Sequence, residues 1–111
     1  MWKYKYGDFE DGQIDEAKKR MRKQIYFLLL YVDPATRDEY AHVDVEKAFT
    51  GILRQFDGLN EILFYPPALV KIISLLEEAK KEYLSSDFRF DVYRKLVLDA
   101  GNEVLNIEEV K

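Results

Sequence analysis

His42 is the only histidine in a chain of 111 residues that contains no cysteine. A histidine that acts as a general base needs an orienting partner and a substrate proton within reach. Asp38, Glu39 and Asp44 are the neighbouring carboxylates that such a site would use. The chain has no G-x-S-x-G motif and no phosphate-binding glycine loop. We therefore predict no catalytic residue, and an enzyme built around His42 is the less favoured alternative.

The acidic segment 8–16 resembles a calcium-binding loop only at first sight. Such a loop places oxygen ligands at positions 1, 3 and 5, glycine at position 6 and glutamate at position 12. Counting from Asp8, Gly12 falls at position 5 and Lys19 at position 12. The spacing excludes this loop, so we predict no metal ligand and no cofactor, and interpret the segment as an acidic lead into a helix.

The strongest run of charge is a basic cluster between residues 18 and 23. Such a cluster could contact phosphates while aromatic side chains near the N-terminus stack on bases, or it could rest on an anionic membrane surface. At helical spacing, however, the basic groups spread over more than half of the circumference, which is typical of a solvated helix face. The net charge of −4 and pI of about 5.1 also argue against nucleic acid as the main partner. The residues that a nucleic acid would contact are Lys18, Lys19, Arg20, Arg22 and Lys23.

One residue after this cluster, a segment begins in which every residue, 25–32, is apolar or aromatic. An apolar stripe that begins at Ile14 continues unbroken through the segment to Val32, which favours a helix over the strand that its residue types would also allow. A helix that is apolar all round needs cover on more than one side. The core stripe is supplied by other residues, so the remaining aromatic and apolar groups are predicted to bind a partner: Tyr26, Phe27 and Leu30, with Trp2, Tyr4 and Tyr6 beside them.

The periodicity of apolar residues predicts an all-α fold, a compact bundle of about four helices with an N-terminal extended arm. Asp44 is a plausible N-cap of the second helix, and Gly58 is expected to end it. The whole chain is predicted to be one helical domain, 1–111, with the arm at 1–12 and helices at about 13–32, 44–57, 67–84 and 87–104.

The composition sets the class of the protein. Hydrophobic residues make up 48% of the chain and aromatic residues 14%, enough to build a core without disulfides. The longest apolar run has eight residues, far fewer than the roughly 20 that span a bilayer. We therefore expect no membrane span, and the absence of cysteine fits a cytoplasmic location. Residues 1–32 carry seven basic and five acidic groups and residues 33–64 carry three and seven, an asymmetry that suits self-association as well as a foreign partner.

Together these features predict a small non-enzymatic helical protein-interaction module of the inhibitor, immunity or regulatory type. It would act through an apolar and aromatic surface on a protein partner or on its own copy, as a homodimer. The alternative is a nucleic-acid-associated factor that uses the basic cluster at 18–23.

Overall fold

A computed structural model describes residues 2–111, which form a short hairpin followed by four helices. Strand β1 (Trp2–Tyr4) pairs antiparallel with strand β2 (Gly7–Phe9), with Trp2 opposite Phe9. The predicted N-terminal arm is therefore present, but it folds back on itself. Its attachment to the bundle includes a hydrogen bond from the Lys5 backbone N–H to the Ile62 carbonyl, 2.7 Å long.

Helix α1 (Asp11–Leu30) contains the long apolar segment, which confirms a helix there rather than a strand. Its start is fixed by a capping box, in which the Glu10 backbone N–H donates to Oε1 of Gln13 at 2.9 Å. The helix begins and ends two residues earlier than the periodicity predicts. Its last turn tightens, and the hydroxyl of Thr36 donates to the Leu30 carbonyl at 2.7 Å.

Helix α2 (Val45–Ile62) begins at the predicted cap, where the Asp44 side chain accepts a hydrogen bond from the Lys47 backbone N–H at 3.1 Å. The predicted end at residue 57 is wrong. Gly58 is an exposed position inside the helix, and the apolar pattern continues beyond it to half-buried Leu59 and Ile62. A glycine can end a helix, but it does so only where packing allows the chain to leave.

Helix α2 ends instead at Ile62 with Leu63 as its C-cap, and the residue after the cap is Phe64, an unusual residue for this position. Phe64 has a φ of 63° and Tyr65 a φ of 57°, both in the left-handed region. The Tyr65 backbone N–H donates to the Asn60 carbonyl, and the Phe64 N–H donates to the Glu61 carbonyl. These are the two hydrogen bonds of a Schellman motif, with phenylalanine where glycine is common.

We expect Phe64→Gly to raise the free energy of unfolding by about 1 kcal/mol, because a non-glycine residue in this conformation costs roughly 1–2 kcal/mol. The ring of Phe64 is 45% exposed, so its loss offsets only part of the gain. Urea titration followed by circular dichroism measures the difference. Phe64→Ala is the control, because it removes the ring but keeps the backbone cost; a gain equal to that of the glycine variant would contradict the explanation.

Helix α3 (Pro67–Leu84) has the predicted bounds, with proline at its first position, where its missing N–H costs nothing. Helix α4 (Phe90–Glu103) begins three residues later than predicted. Residue 87 lies in the preceding turn, where its N–H donates to Oγ of Ser85 at 3.1 Å. The N-cap, Arg89, donates its backbone N–H to Oε1 of Glu82 at 2.7 Å. A short 3₁₀ helix over Val104–Asn106 completes the element order.

The helices pack in the spatial order α1, α4, α3, α2. Contacts are most extensive between α3 and α4, followed by α1 with α4 and α2 with α3, whereas α1 and α2 touch sparsely. The predicted all-α bundle is confirmed. Its largest fully buried side chains are Tyr93, Phe49, Phe56, Ile25, Leu28 and Leu69.

Candidate functional site

The two groups of residues predicted on α1 meet on one outward-facing stripe. Its members are spaced at helical intervals, and we call it the outer stripe of α1: Lys19, Lys23, Tyr26, Phe27 and Leu30. With Arg22, they line a shallow depression of about 430 Å³. Phe27 and Leu30 are half-buried, so they retain apolar surface for another molecule. The stripe is therefore cationic at its N-terminal end and apolar at its C-terminal end.

Tyr26 makes contacts within its own chain that the sequence did not reveal. Its hydroxyl accepts a hydrogen bond from Nη2 of Arg22 at 3.1 Å and donates to Oδ1 of Asn102 at 3.3 Å. The Arg22 guanidinium also lies 5.5 Å from the centre of its ring. A Cβ atom placed on Gly101 of α4 would lie only 2.5 Å from Cε1 of that ring. Tyr26 thus helps to join α1 to α4, and only part of its surface is available to a partner.

We expect the effect of Gly101→Ala on the free energy of unfolding to have opposite signs in two backgrounds. In the native chain the new methyl group displaces the Tyr26 ring, and we expect a loss of about 1 kcal/mol from its hydrogen bonds and packing. In a Tyr26→Ala background the methyl group has room, and alanine is better than glycine inside a helix by about 0.5–1 kcal/mol. Denaturant unfolding of the four proteins measures the coupling. Equal effects of Gly101→Ala in both backgrounds would contradict this packing.

Phe27 of the outer stripe also belongs to a cluster of aromatic rings at the end of α1. Its ring centre lies 5.9 Å from that of Tyr31 and 6.1 Å from that of Tyr40, and the two tyrosine rings are 5.2 Å apart. Tyr40 comes from a 3₁₀ helix over Arg37–Tyr40, in the segment between α1 and α2. This cluster fixes the end of α1 against the following loop.

The predicted basic cluster does not form one patch. Nζ of Lys18 donates to the Ile107 carbonyl at 2.8 Å and lies 5.5 Å from the ring of Trp2. Arg22 is engaged with Tyr26, while Lys19 has an exposed ion pair with Glu16 at 3.8 Å. Arg20 and Lys23 are exposed, on different faces of α1. A ligand that used all five cations would therefore have to wrap around the helix.

The three aromatic residues of the hairpin differ sharply in exposure. Trp2 is buried, and its indole N–H has no hydrogen-bond partner among the described residues. Tyr4 is half-buried and stacks on Phe9 with 4.0 Å between ring centres. Tyr6, in the turn, is 73% exposed. The structure therefore brings Trp2 into the bundle and leaves Tyr6 at the hairpin tip, away from the outer stripe.

The sparse contact between α1 and α2 leaves an open channel, which we call the α1–α2 groove. Three adjoining depressions, of about 580, 530 and 380 Å³, follow it from the hairpin to the loop after α1. The α1 side contributes Ala17, Met21, Gln24 and Phe27. The α2 side contributes Ala48, Ile52, Gln55 and Leu59. The largest depression, under the hairpin, is mainly apolar and includes Trp2, Ile14, Leu63 and Ile107.

The middle and far sections of the groove carry positive charge. Arg20, Lys47 and Arg54 line them, and within residues 2–111 no carboxylate lines these two sections. None of these three cations forms an ion pair with another described residue. Sequence reasoning missed Arg54, Gln55 and the groove itself. No local pattern in the sequence marks them, because the groove arises from the sparse contact between α1 and α2 in the fold.

His42 is exposed in the loop before α2, and within residues 2–111 no hydrogen bond or ion pair joins it to a carboxylate. Among the described residues no group of three His, Cys, Asp or Glu side chains is placed to hold a metal ion. No helix within residues 2–111 has the length and apolar character required to cross a bilayer.

Comparisons with known proteins give no relative for this chain: no protein-family model, no curated protein and no solved structure matches it.

Proposed function

We propose that this protein is a non-enzymatic interaction module of the inhibitor, immunity or regulatory type, acting in the cytoplasm. Its binding surface is the face of α1 that the bundle leaves uncovered, namely the outer stripe and the adjoining α1–α2 groove. The observation that carries the proposal is the sparse contact between α1 and α2, which leaves half-buried apolar residues along both helices. Apolar surface of this kind, rimmed by charged residues, is typical of protein-binding sites.

The charge of this surface favours a foreign partner over a second copy. In a symmetric homodimer the same patch lies on both sides of the interface. Lys23 on the outer stripe and Arg20 and Arg54 along the groove would then be enclosed in an interface that carries the same positive charges on both sides. Like charges placed together at an interface cost free energy, whereas an acidic partner gains from them.

We expect the double variant Phe27→Glu/Leu30→Glu to weaken partner binding by at least tenfold, since it places two carboxylates on the apolar end of the outer stripe. The experiment captures partners from an extract of the source cell with the wild type and the variant, and light scattering measures oligomeric state in parallel. Circular dichroism verifies that the variant retains its helices.

Leu84→Glu/Val92→Glu is the matched control, because these apolar residues are 53% and 37% exposed and lie on α3 and α4. Capture that is lost in both double variants would indicate a general effect of added negative charge. A strict monomer whose captured proteins are the same with the wild type and with Phe27→Glu/Leu30→Glu would refute the proposed function.

The alternative is a nucleic-acid-associated factor, and the placement of the basic cluster supports it less. Lys18 and Arg22 make contacts within the chain, so only Lys19, Arg20 and Lys23 are exposed. Fluorescence anisotropy with single- and double-stranded oligonucleotides at two salt concentrations tests it. Binding to phosphates weakens steeply with salt because counterions are released. Absence of binding at low salt would eliminate this alternative.

A further inference from the structure

We propose that the α1–α2 groove binds an amphipathic α-helix of a partner protein, with an apolar stripe in the groove and acidic residues along its flanks. This inference rests on the proposed function and specifies the chemistry of the partner. Three features of the groove support it: its length, the distribution of its charges and the polar pair that crosses its middle.

The groove has the length and direction of a helix-binding site. Its α1 side extends from Ile14 to Tyr31, and at 1.5 Å per residue this corresponds to about 25 Å. Ile14 lies near Leu63 at one end and Tyr31 near Ala48 at the other, so the two walls run antiparallel. A helix of about 17 residues laid between them would have neighbours on both sides, as in other complexes in which a helix occupies an apolar groove.

The charges along the middle and far sections favour an acidic occupant there, whereas Glu10 and Glu16 line the section under the hairpin. Arg20, Lys47 and Arg54 line the middle and far sections, and in the part of the chain that the structure describes they lack ion-pair partners. The protein as a whole has a net charge of −4, so this cationic section runs against its overall charge. Glutamate or aspartate on the flanks of a bound helix would meet these three cations. A basic helix would bring like charges together.

The middle of the groove is polar. Nε2 of Gln24 donates to Oε1 of Gln55 at 3.1 Å, and the reciprocal contact is 3.4 Å. This exposed amide pair joins α1 to α2 and lines the central section. Because its remaining polar atoms would be desolvated by a large apolar side chain, the occupant should carry a small or polar residue at its centre.

The end of the groove under the hairpin would bind one large apolar side chain of the partner helix, which anchors it. Its volume of about 580 Å³ is sufficient for one large side chain, and Met21, Leu59 and Ile107 contribute apolar walls. Aromatic side chains are the usual anchors of such pockets. The occupant is therefore a helix with an aromatic or large aliphatic residue near one end, a small or polar residue at its centre and acidic flanks.

The test uses a phage-displayed library of 18-residue helices with a fixed leucine stripe, in which the flanking positions, the central position and one terminal stripe position are randomised. We expect selection on the full chain to enrich Asp and Glu at the flanks, small or polar residues at the centre and aromatic residues at the terminal position. Arg20→Glu/Arg54→Glu should weaken the selected peptides by at least tenfold. Lys81→Glu/Arg94→Glu, the same change at exposed positions of α3 and α4, should leave their affinity unchanged.

Ala17→Phe distinguishes binding in the groove from binding on the outer stripe. Ala17 lines two sections of the groove, and the new ring would fill the space between the helices. Leu30→Glu changes only the outer stripe. Loss of peptide binding in Ala17→Phe with retention in Leu30→Glu supports the inference. Enrichment of neutral or basic flanks, failure to enrich any helix, or peptides that bind Ala17→Phe unchanged would each overturn it. In those cases the proposed function still stands if Phe27→Glu/Leu30→Glu abolishes capture of the natural partner.

Discussion

Tyr93→Phe is expected to lower the free energy of unfolding by about 1–3 kcal/mol, although it removes only one oxygen atom. Tyr93 has no exposed surface, and its hydroxyl donates to the Leu28 carbonyl at 2.5 Å. The last turn of α1 tightens, so the N–H groups that follow it bond to the carbonyls of Phe27 and Leu29. The variant therefore leaves the buried Leu28 carbonyl without this donor, which costs about 1–3 kcal/mol. Chemical denaturation measures the loss.

The pH dependence of stability in the wild type and in Tyr93→Phe gives an independent check. Burial raises the pKa of Tyr93 far above its ordinary value of 10.0, with a smaller contribution from Tyr83. Below pH 10.0, the pKa of the unfolded state, the Tyr93 hydroxyl is protonated in both the folded and the unfolded states, and its stabilising effect is complete. Above pH 10.0 Tyr93 ionises in the unfolded state first, so its contribution to the free energy of unfolding falls by up to about 1.4 kcal/mol per pH unit. Phenylalanine cannot ionise, so the difference between wild type and Tyr93→Phe should shrink above about pH 10. A constant difference up to pH 11.5 would contradict this account.

Helix periodicity was enough to predict the class of fold and the bounds of α3. The end of α2 was not predictable from residue types. Gly58 is a residue that often ends helices, but apolar residues that pack on the bundle follow it, so the helix continues past it. Phe64 takes the left-handed conformation that glycine takes more easily. The energy that decides such an end is tertiary: burial of Leu63 and Pro66, on either side of the exposed Phe64 and Tyr65, outweighs the local preference.

The candidate site was predictable only in part, for a similar reason. The sequence indicates that α1 has more apolar surface than one stripe, and Phe27 and Leu30 do remain half-buried. It does not indicate which neighbour covers which face. That depends on the spatial order of the helices, which places α4 against Tyr26 and leaves α2 apart from α1. Arg54 and Gln55 become part of a surface only through that gap, so no local pattern marks them.

Trp2→Ala should release the hairpin from the bundle while the helices stay folded. The ring of Trp2 is buried against the bundle, and half-buried Tyr4 and Phe9 also pack against the core. The polar attachments are the Lys5 N–H to the Ile62 carbonyl, the Lys5–Glu61 ion pair and the Lys3 N–H to Glu109. Replacing a buried Trp by Ala costs about 3–5 kcal/mol, and an isolated two-stranded hairpin is marginal in water. We expect hydrogen exchange of the Lys5 amide to accelerate by on the order of 100-fold or more, since each 1.4 kcal/mol corresponds to a factor of ten.

The exchange rates of core amides in α3 and α4 should change much less, because within residues 2–111 these two helices pack mainly on each other, on α1 and on α2. Tyr6→Ala is the matched control: its ring is 73% exposed at the hairpin tip, so the Lys5 amide should retain most of its protection. If Trp2→Ala left that amide protected, the packing of Tyr4 and Phe9 and the polar contacts would be sufficient to hold the hairpin, which would contradict the role given to Trp2. If it accelerated exchange equally throughout the four helices, the hairpin and the bundle would be one cooperative unit. Release of the hairpin alone would mean that the apolar end of the α1–α2 groove can open without unfolding the helices that form its walls.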